Sequence, residues 1–294
     1  MEAKVAMNQN SRDYDDYVYG CSESIELIGR VYYPSVETLR RGIVMLHGGA
    51  WTANDRTTPW AVCEGLAACG MTVFSLDFRC GPQFQHPSAV SDIAAGIRWF
   101  KSQAEKFDID PNDIGLIGSS SGGHLALFTG LVPDEPSHRT TKVRLDDGAF
   151  IESEISAEVM YIIALWPVSD PAGRYQYALE NDREDLVRAQ NGYFGSITAM
   201  QDAGIQNILR QKTFTHLPSV MLVQPGEDQN VPEKHTIDLL TALQSQKAEV
   251  IYHYMPGLPH AFAYNSSKDT DRLINYIWLF IQDVLAIGIT LVKD

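Results

Sequence analysis

Ser120 lies at the centre of a glycine-flanked turn, 118–122, that reads Gly-Ser-Ser-Ser-Gly and fits the pattern G-x-S-x-G. This pattern serves a sharp turn from a strand into a helix, which exposes one serine hydroxyl. Glycine is favoured at the flanks because the backbone bends too tightly there for a Cβ atom. An apolar run, 114–117, precedes the turn, and an Ala/Leu-rich helical stretch follows it. The sequence therefore predicts that Ser120 is a nucleophile, activated by a neighbouring base.

A base and an acid follow Ser120 in chain order, each just beyond a predicted strand. His260 lies in a Gly/Pro-containing loop after the last predicted strand, 250–254. Asp228 follows the preceding predicted strand, 220–223. In a Ser-Asp-His arrangement, the histidine removes the serine proton and the carboxylate orients the imidazole. Glu227 and Asp170 are the alternatives to Asp228 for the acid.

The segment 47–51, His-Gly-Gly-Ala-Trp, directly follows the apolar run 42–46. Backbone N–H groups approach a reacting serine only where side chains are small or absent. Such groups stabilise the oxyanion that forms when a serine attacks a carbonyl, and each is worth roughly 3–4 kcal/mol in the transition state. We expect the amides of Gly49 and Ala50 to act in this way, together with the amide of Ser121.

Buried strands and helices alternate from residue 42 to the end of the chain, which is typical of a parallel sheet with helices on both faces. Ligands of such sheets bind beyond the carboxyl ends of the strands. The segment 1–20 is predicted to be a polar arm, and 24–33 to be an edge strand. The further strands are predicted at 42–46, 71–76, 114–117, 159–165, 220–223 and 250–254. Helices are predicted at 59–70, 88–107, 232–246 and 273–286, and another follows the serine turn and ends near residue 130.

Two segments interrupt this alternation. The stretch 131–157 is polar and lacks periodicity, so we interpret it as a surface insertion or lid. The stretch 168–213 is helical in outline and glycine-containing, and we interpret it as a small cap over the site. The chain, 1–294, is thus predicted to form a single domain.

The sequence resembles proteins of the α/β-hydrolase fold, and among them the H-G-G-x-W branch near the hormone-sensitive lipase family. That branch includes feruloyl-esterase-like acetyl esterases and kynurenine formamidases. The matching segments are 43–51, 114–126, 220–232 and 255–262. The resemblance implies a cofactor-free serine hydrolase that cleaves carboxylic esters of small or aryl substrates through an acyl-enzyme. One alternative is an amide or formamide hydrolase. The other is a non-catalytic binding protein, and the presence of Ser120 and His260 disfavours this second alternative.

Aromatic residues in the loops and the cap are candidates for an apolar substrate pocket. Trp51 and Trp166 are the two that we assign to it. The sequence contains no phosphate-binding loop, dinucleotide turn or metal-ligand cluster. We therefore expect neither a metal nor another cofactor.

The net charge of −14 and the pI of about 4.9 disfavour nucleic acids and anionic membranes as partners, because both repel an acidic protein. We expect a small-molecule ester as the substrate, and a homodimer is kept as a candidate assembly. No apolar run is long enough to span a bilayer, and residues 1–20 lack the pattern of a signal peptide. The four cysteines form no C-x-x-C pair. A reducing cytoplasm is therefore the expected compartment.

Overall fold

The computed structural model describes residues 14–214 and 217–291, with side chains described up to residue 284. Within this part of the chain, the strands form one sheet in the order β10-β9-β8-β5-β3-β4-β2-β1-β6-β7. The strands are β1 (Tyr14–Ser22), β2 (Ile25–Tyr32), β3 (Gly42–Leu46), β4 (Thr72–Leu76), β5 (Ile114–Ser119), β6 (Lys142–Arg144), β7 (Phe150–Ile151), β8 (Tyr161–Leu165), β9 (Ser219–Glu227) and β10 (Val250–Pro259).

The six strands from β10 to β4 in this order are parallel to one another, whereas β4 and β2 are antiparallel. β3 pairs with both β4 and β5, so Leu46 lies opposite Leu76 on one side and Gly118 on the other. β8, β9 and β10 extend the same parallel ladder. The predicted parallel sheet is confirmed, and its carboxyl ends lie at one edge, where a site can be assembled.

Helices cover both faces of this sheet, as predicted. Val44 and Leu46 of β3 pack in one hydrophobic cluster, whereas Ile43 and Met45 pack in the other. This alternation follows from the two-residue period of a strand. The helices of the described residues are α1 (Trp60–Ala68), α2 (Ser88–Ser102), α3 (Ser121–Leu131), α4 (Pro171–Glu180), α5 (Glu184–Phe194), α6 (Ile197–Asp202), α7 (Ile205–Gln211), α8 (Glu233–Ser245) and α9 (Lys268–Leu291). None of them combines the length and apolarity needed to cross a bilayer.

The N-terminal prediction is wrong for the part of the arm that the structure describes; residues 1–13 lie outside it. β1 pairs antiparallel with β2 in a hairpin, and β2 also pairs with β4, so β2 is an interior strand rather than an edge strand. Tyr17 of β1 packs against Trp99 and Phe107, with ring centroids 5.7 and 5.4 Å apart. These tyrosine contacts bury one face of β1, although its sequence is largely polar. The contacts are made with residues distant in sequence, so the local pattern does not predict them.

The segment predicted as an insertion or lid adds β6 and β7 to the sheet. β6 pairs antiparallel with β1 through Gly20 and Cys21, and Val143 of β6 is buried in the hydrophobic core. The helix predicted over 88–107 ends at Ser102, and turns follow it. The cap-like stretch contains α4 to α7, which follow β8 directly. A lid movement stays a prediction.

Candidate active site

Ser120 occupies the turn between β5 and α3 in a backbone conformation, φ 56° and ψ −119°, that side-chain-bearing residues rarely adopt. The flanking glycines permit this turn. A Cβ on Gly118 would lie 2.1 Å from the carbonyl oxygen of Gly122, and one on Gly122 would lie 2.4 Å from that of His47. The glycines of the G-x-S-x-G pattern are therefore required by close backbone approach, both within the turn and towards β3.

The end of β8 and the loop that follows it hold the serine turn from the other side. The amide of Ser120 donates to the carbonyl of Leu165 at 2.9 Å, and the amide of Val168 donates to the carbonyl of Ser120 at 3.1 Å. Both backbone groups of Ser120 are thus satisfied, which compensates the strained turn and fixes the direction of its side chain.

The structure brings Ser120, His260 and Asp228 into one hydrogen-bonded chain. Nε2 of His260 lies 2.9 Å from Oγ of Ser120, and Nδ1 of His260 lies 2.8 Å from Oδ2 of Asp228. Because a carboxylate accepts hydrogen bonds, Nδ1 carries the proton in neutral His260, and Nε2 is left to accept from the serine hydroxyl. The side chain of Asp228 is 1% exposed and that of His260 is 14% exposed, so little water competes for these bonds.

The second oxygen of Asp228 is also occupied. Oδ1 accepts from the amides of Asn230 at 2.8 Å and Val231 at 2.9 Å. These bonds orient the carboxylate so that Oδ2 faces His260.

The two alternative acids lie elsewhere. Asp170 caps α4, since its Oδ1 accepts from the amide of Gly173 at 2.9 Å. Glu227 is exposed at the end of β9. Of the three acids considered from sequence, Asp228 is the one that contacts His260.

The loop after β3 has an unusual backbone. Gly49 has φ 117°, where a side chain would be strained, and a Cβ there would lie 2.1 Å from the carbonyl oxygen of Ala53. Ala50 also has a positive φ, of 51°. The amides of Gly49 and Ala50 have no protein acceptor within the described part of the chain. Ser121 opens α3, so its N–H belongs to the first turn and has no partner within the helix.

His47 orients this loop. Its Nδ1 donates to the carbonyl of Gly48 at 2.8 Å, and its ring stacks on Phe78 at 4.2 Å. The carbonyl of Gly48 and the N–H of Gly49 belong to the same planar peptide and point in opposite directions. Burial lowers the pKa of His47, so the ring is neutral. His47 thereby turns the N–H of Gly49 away from itself, a role that sequence reasoning did not assign.

Tyr264 is a second residue that the sequence did not single out. Its hydroxyl lies 3.4 Å from Oγ of Ser119, and a Cβ on Gly48 would lie 2.3 Å from that hydroxyl. Tyr264 therefore joins the segment after His260 to both the serine turn and the glycine loop. No local pattern marks it, because its partners are distant in sequence.

The two tryptophans assigned to a substrate pocket are both 1% exposed. Trp51 stacks on Tyr193 at 5.7 Å and donates from Nε1 to Nδ1 of His124 at 3.3 Å. Trp166 lies edge-on to His260 at 6.2 Å. It lines a small apolar cleft with Met45, Pro59, Val62, Ser119, Leu165, Ala263 and Tyr264. Contact of either tryptophan with a substrate stays a prediction.

Comparison with known proteins assigns the chain to a family. The model of the BD-FAE family matches residues 30–243, which is more than half of the chain. The chain belongs to the BD-FAE family. The matched region contains Ser120 and Asp228, while His260 lies beyond its end.

Two curated relatives of this BD-FAE family member carry the names of esterases. It is 26% identical to the esterase LipC of Mycobacterium tuberculosis over 82% of this chain and 58% of that one. It is 28% identical to an arylesterase of Saccharolobus solfataricus over 72% of this chain and 60% of that one. The chain thus spans less than two thirds of the length of these relatives.

Solved structures show the fold. An esterase from Pyrobaculum calidifontis superposes with a TM-score of 0.73 at 20% identity, covering 92% of this chain and 86% of that one. Esterase B from Lactobacillus rhamnosis superposes with a TM-score of 0.75 at 17% identity, covering 96% and 89%. The α/β-hydrolase fold predicted from the four sequence segments is confirmed.

Proposed function

We propose that this protein is a serine hydrolase that cleaves carboxylic esters of small or aryl substrates through an acyl-enzyme on Ser120. The observation that carries the proposal is the continuous hydrogen-bonded chain Ser120–His260–Asp228, with links of 2.9 and 2.8 Å. The names of the relatives, an esterase and an arylesterase, support the same chemistry.

Acylation begins when Oγ of Ser120 attacks the ester carbonyl carbon and its proton passes to Nε2 of His260. The carbonyl electron pair moves onto the oxygen, and the amides of Gly49, Ala50 and Ser121 donate hydrogen bonds to that oxyanion. The tetrahedral intermediate collapses, the C–O bond to the alcohol breaks, and His260 returns the proton to the departing alcohol.

Deacylation repeats these steps with water. His260 removes a proton from the water as it attacks the acyl carbon, and then returns that proton to Oγ of Ser120 as the acid leaves. Asp228 stabilises the imidazolium in both halves of the reaction. Ester and water are converted into acid and alcohol with all atoms balanced, so we propose no cofactor.

A second candidate is amide hydrolysis on the same residues. The chain is 28% identical to the arylacetamide deacetylase of Rattus norvegicus over 64% of this chain and 47% of that one. An amide differs from an ester in its leaving group, which must be protonated by His260 before it departs. Matched aryl acetates and aryl acetamides distinguish the two substrates, and we expect the acetate to react faster.

The test is a burst assay with p-nitrophenyl acetate, butyrate and octanoate. We expect the wild-type protein to release one equivalent of p-nitrophenol rapidly wherever deacylation is slower than acylation. Ser120→Ala should lower kcat by at least a thousandfold, because the nucleophile is absent. Equal, slow release by wild type and Ser120→Ala on every ester would refute the proposal.

We also propose a cytoplasmic, homodimeric protein. Cys21, Cys63, Cys69 and Cys80 are all free, which fits a reducing compartment. Light scattering coupled to size-exclusion chromatography tests the dimer.

A further inference from the structure

Arg174 is a buried arginine of α4 whose guanidinium lies over the ring of Trp51 but forms no ion pair with a carboxylate of the described residues. Its side chain is among the largest fully buried ones, at 1% exposure. Nε and Nη2 of Arg174 are buried and have no hydrogen-bond partner in the described residues. No ion pair of those residues includes Arg174 either. Such a group is unusual, because buried charged side chains are nearly always paired and hydrogen-bonded.

The guanidinium remains a cation at neutral pH. Burial lowers the pKa of Arg174 to about 10, which is still well above 7. A buried cation without a hydrogen-bonded acceptor carries a desolvation penalty that such an acceptor would offset. The guanidinium of Arg174 thus has two N–H donor groups, on Nε and Nη2, that no carboxylate of the described residues occupies.

Nε and Nη2, the two nitrogens of Arg174 without a hydrogen-bond partner, are the pair that binds a carboxylate in a two-pronged arginine–carboxylate contact. Nε–H and one N–H of Nη2 lie parallel along a single edge of the guanidinium, and this edge matches the two oxygens of a carboxylate. The chain itself uses this edge repeatedly. The ion pairs in which Nε and Nη2 donate to one carboxylate are Arg30–Asp16, Arg79–Asp92 and Arg183–Asp185.

Arg174 lies among the elements that carry the candidate active site. Its guanidinium carbon is 5.4 Å from the ring centroid of Trp51, which directly follows the loop containing Gly49 and Ala50. α4 begins shortly after Val168, whose amide bonds to Ser120. The charges that act on Arg174 are, in decreasing order, those of Arg183, Asp185 and Asp228. Because Trp51 belongs to the loop that follows the carboxyl end of β3, its contact with Arg174 puts the guanidinium on the side of the sheet where a substrate would bind.

We propose that Arg174 binds a carboxylate carried by the substrate, so that the preferred substrates are anionic esters. The inference rests on the proposed esterase function and narrows it. A carboxylate that meets Nε and Nη2 completes the one buried ion pair that the described residues leave open. The competing occupant is a water molecule that bridges Arg174 to Oε1 of Gln190, an acceptor that is buried and unpartnered on neighbouring α5.

The first test compares each anionic ester with a neutral counterpart of nearly the same shape. For a carboxylate on the acyl part, the pair is mono-p-nitrophenyl glutarate and its terminal carboxamide. For a carboxylate on the alcohol part, the pair is 3-acetoxybenzoate and 3-acetoxybenzamide. In at least one pair we expect wild type to prefer the anion by tenfold or more in kcat/KM, and that pair identifies the part that carries the charge. Ratios near one in both pairs would overturn the inference.

Variants then assign the preference to Arg174. Arg174→Met should lower the anion-to-neutral ratio at least tenfold, and Arg174→Lys should retain an intermediate ratio because it keeps the charge but loses the fork. Arg188→Gln is the matched control, since Arg188 is an arginine of α5 whose side chain is 75% exposed. The control should keep the wild-type ratio. An unchanged ratio in Arg174→Met would indicate the water bridge alone and overturn the inference.

A binding measurement separates the inference from the proposed function. With Ser120→Ala, which cannot form the acyl-enzyme, we expect glutarate or 3-hydroxybenzoate, but neither glutaramide nor 3-hydroxybenzamide, to raise the melting temperature. This arm needs no turnover and no change at Arg174, so it stands if Arg174→Met does not fold. Ester hydrolysis without protection by either carboxylate would overturn the anion site alone. Protection by either carboxylate without hydrolysis of any ester would overturn the esterase proposal but leave the anion site.

Discussion

At the scale of single residues, the candidate site depends on which atom donates each hydrogen bond. Asp228 accepts three bonds, two from backbone amides and one from His260, so its orientation is fixed by the chain around it. That orientation sets the tautomer of His260, and the tautomer leaves Nε2 free to accept the proton of Ser120. The proposed role of Asp228 is therefore positional as well as electrostatic.

Asp228→Asn tests that role against the two other acids. The amide retains the shape but no longer holds the proton of His260 on Nδ1, so we expect kcat on p-nitrophenyl butyrate to fall about 10⁴-fold. Glu227→Gln and Asp170→Asn are the controls, because one side chain is exposed and the other caps α4, where asparagine serves equally well. Their kcat should stay within about threefold of wild type. A larger loss in either control than in Asp228→Asn would remove Asp228 from the proposed triad.

At the scale of elements, α2 anchors the segment that sequence predicts as an insertion or lid. Arg98 of α2 is 2% exposed and donates to the carbonyls of Pro133, His138 and Ile155. It also pairs with Asp134 at 2.9 Å. These contacts tie both ends of the segment to one helix, while β6 ties its middle to β1. The segment therefore has fixed attachments along the edge of the sheet.

Arg98→Met should loosen this attachment. The change removes the donor from three carbonyls, while Asp134 keeps Arg139 and Ser156, so we expect a loss of about 3 kcal/mol in the free energy of unfolding, roughly 1 kcal/mol for each hydrogen bond, measured with urea. Hydrogen exchange should rise across 132–157 and stay slow in β5. Arg139→Met is the matched control, because Arg139 also pairs with Asp134 but is 34% exposed. It should cost less than about 1 kcal/mol. Equal exchange in wild type and Arg98→Met would contradict the anchoring role.

At the scale of the whole molecule, buried histidines link stability to pH. Burial lowers the pKa of His124 to about 4 and that of His86 to about 3. In the folded protein both rings are neutral above these values, whereas in the unfolded chain a histidine takes up a proton below about pH 6.5. Between these limits the unfolded state binds more protons. The stability contributed by neutral burial is thus fully present above pH 6.5 and is lost as the pH falls towards 4.

His124 provides the specific test of this dependence. Its Nδ1 accepts from Trp51, and its Nε2 donates to the carbonyl of Ala203 at 2.8 Å. His124→Gln keeps a donor and an acceptor but does not titrate. We expect the loss of unfolding free energy between pH 6 and pH 5 to be smaller in the variant by about 1.2 kcal/mol, measured by urea unfolding at both pH values. Identical pH slopes in wild type and variant would show that His124 is not the cause.

The sequence by itself determined the features that local rules control. The glycines of 118–122 are required by a turn too tight for side chains, and the apolar runs fix strands that are buried on both faces. Because those strands are parallel, residues that directly follow them meet at one edge, which is how Ser120, Asp228 and His260 were found. The same rules placed Gly49, Ala50 and Ser121 near the nucleophile.

Only the tertiary structure decided the features that depend on distant partners. Asp228 rather than Glu227 contacts His260, although the two are adjacent in sequence and similar in chemistry. β1 and β6 form because tyrosine packing and strand pairing bury segments whose local pattern is polar. The tertiary structure also shows that Nε and Nη2 of Arg174 have no hydrogen-bond acceptor among the described residues. Sequence cannot show this, because the positions of all neighbouring side chains determine whether a donor has an acceptor.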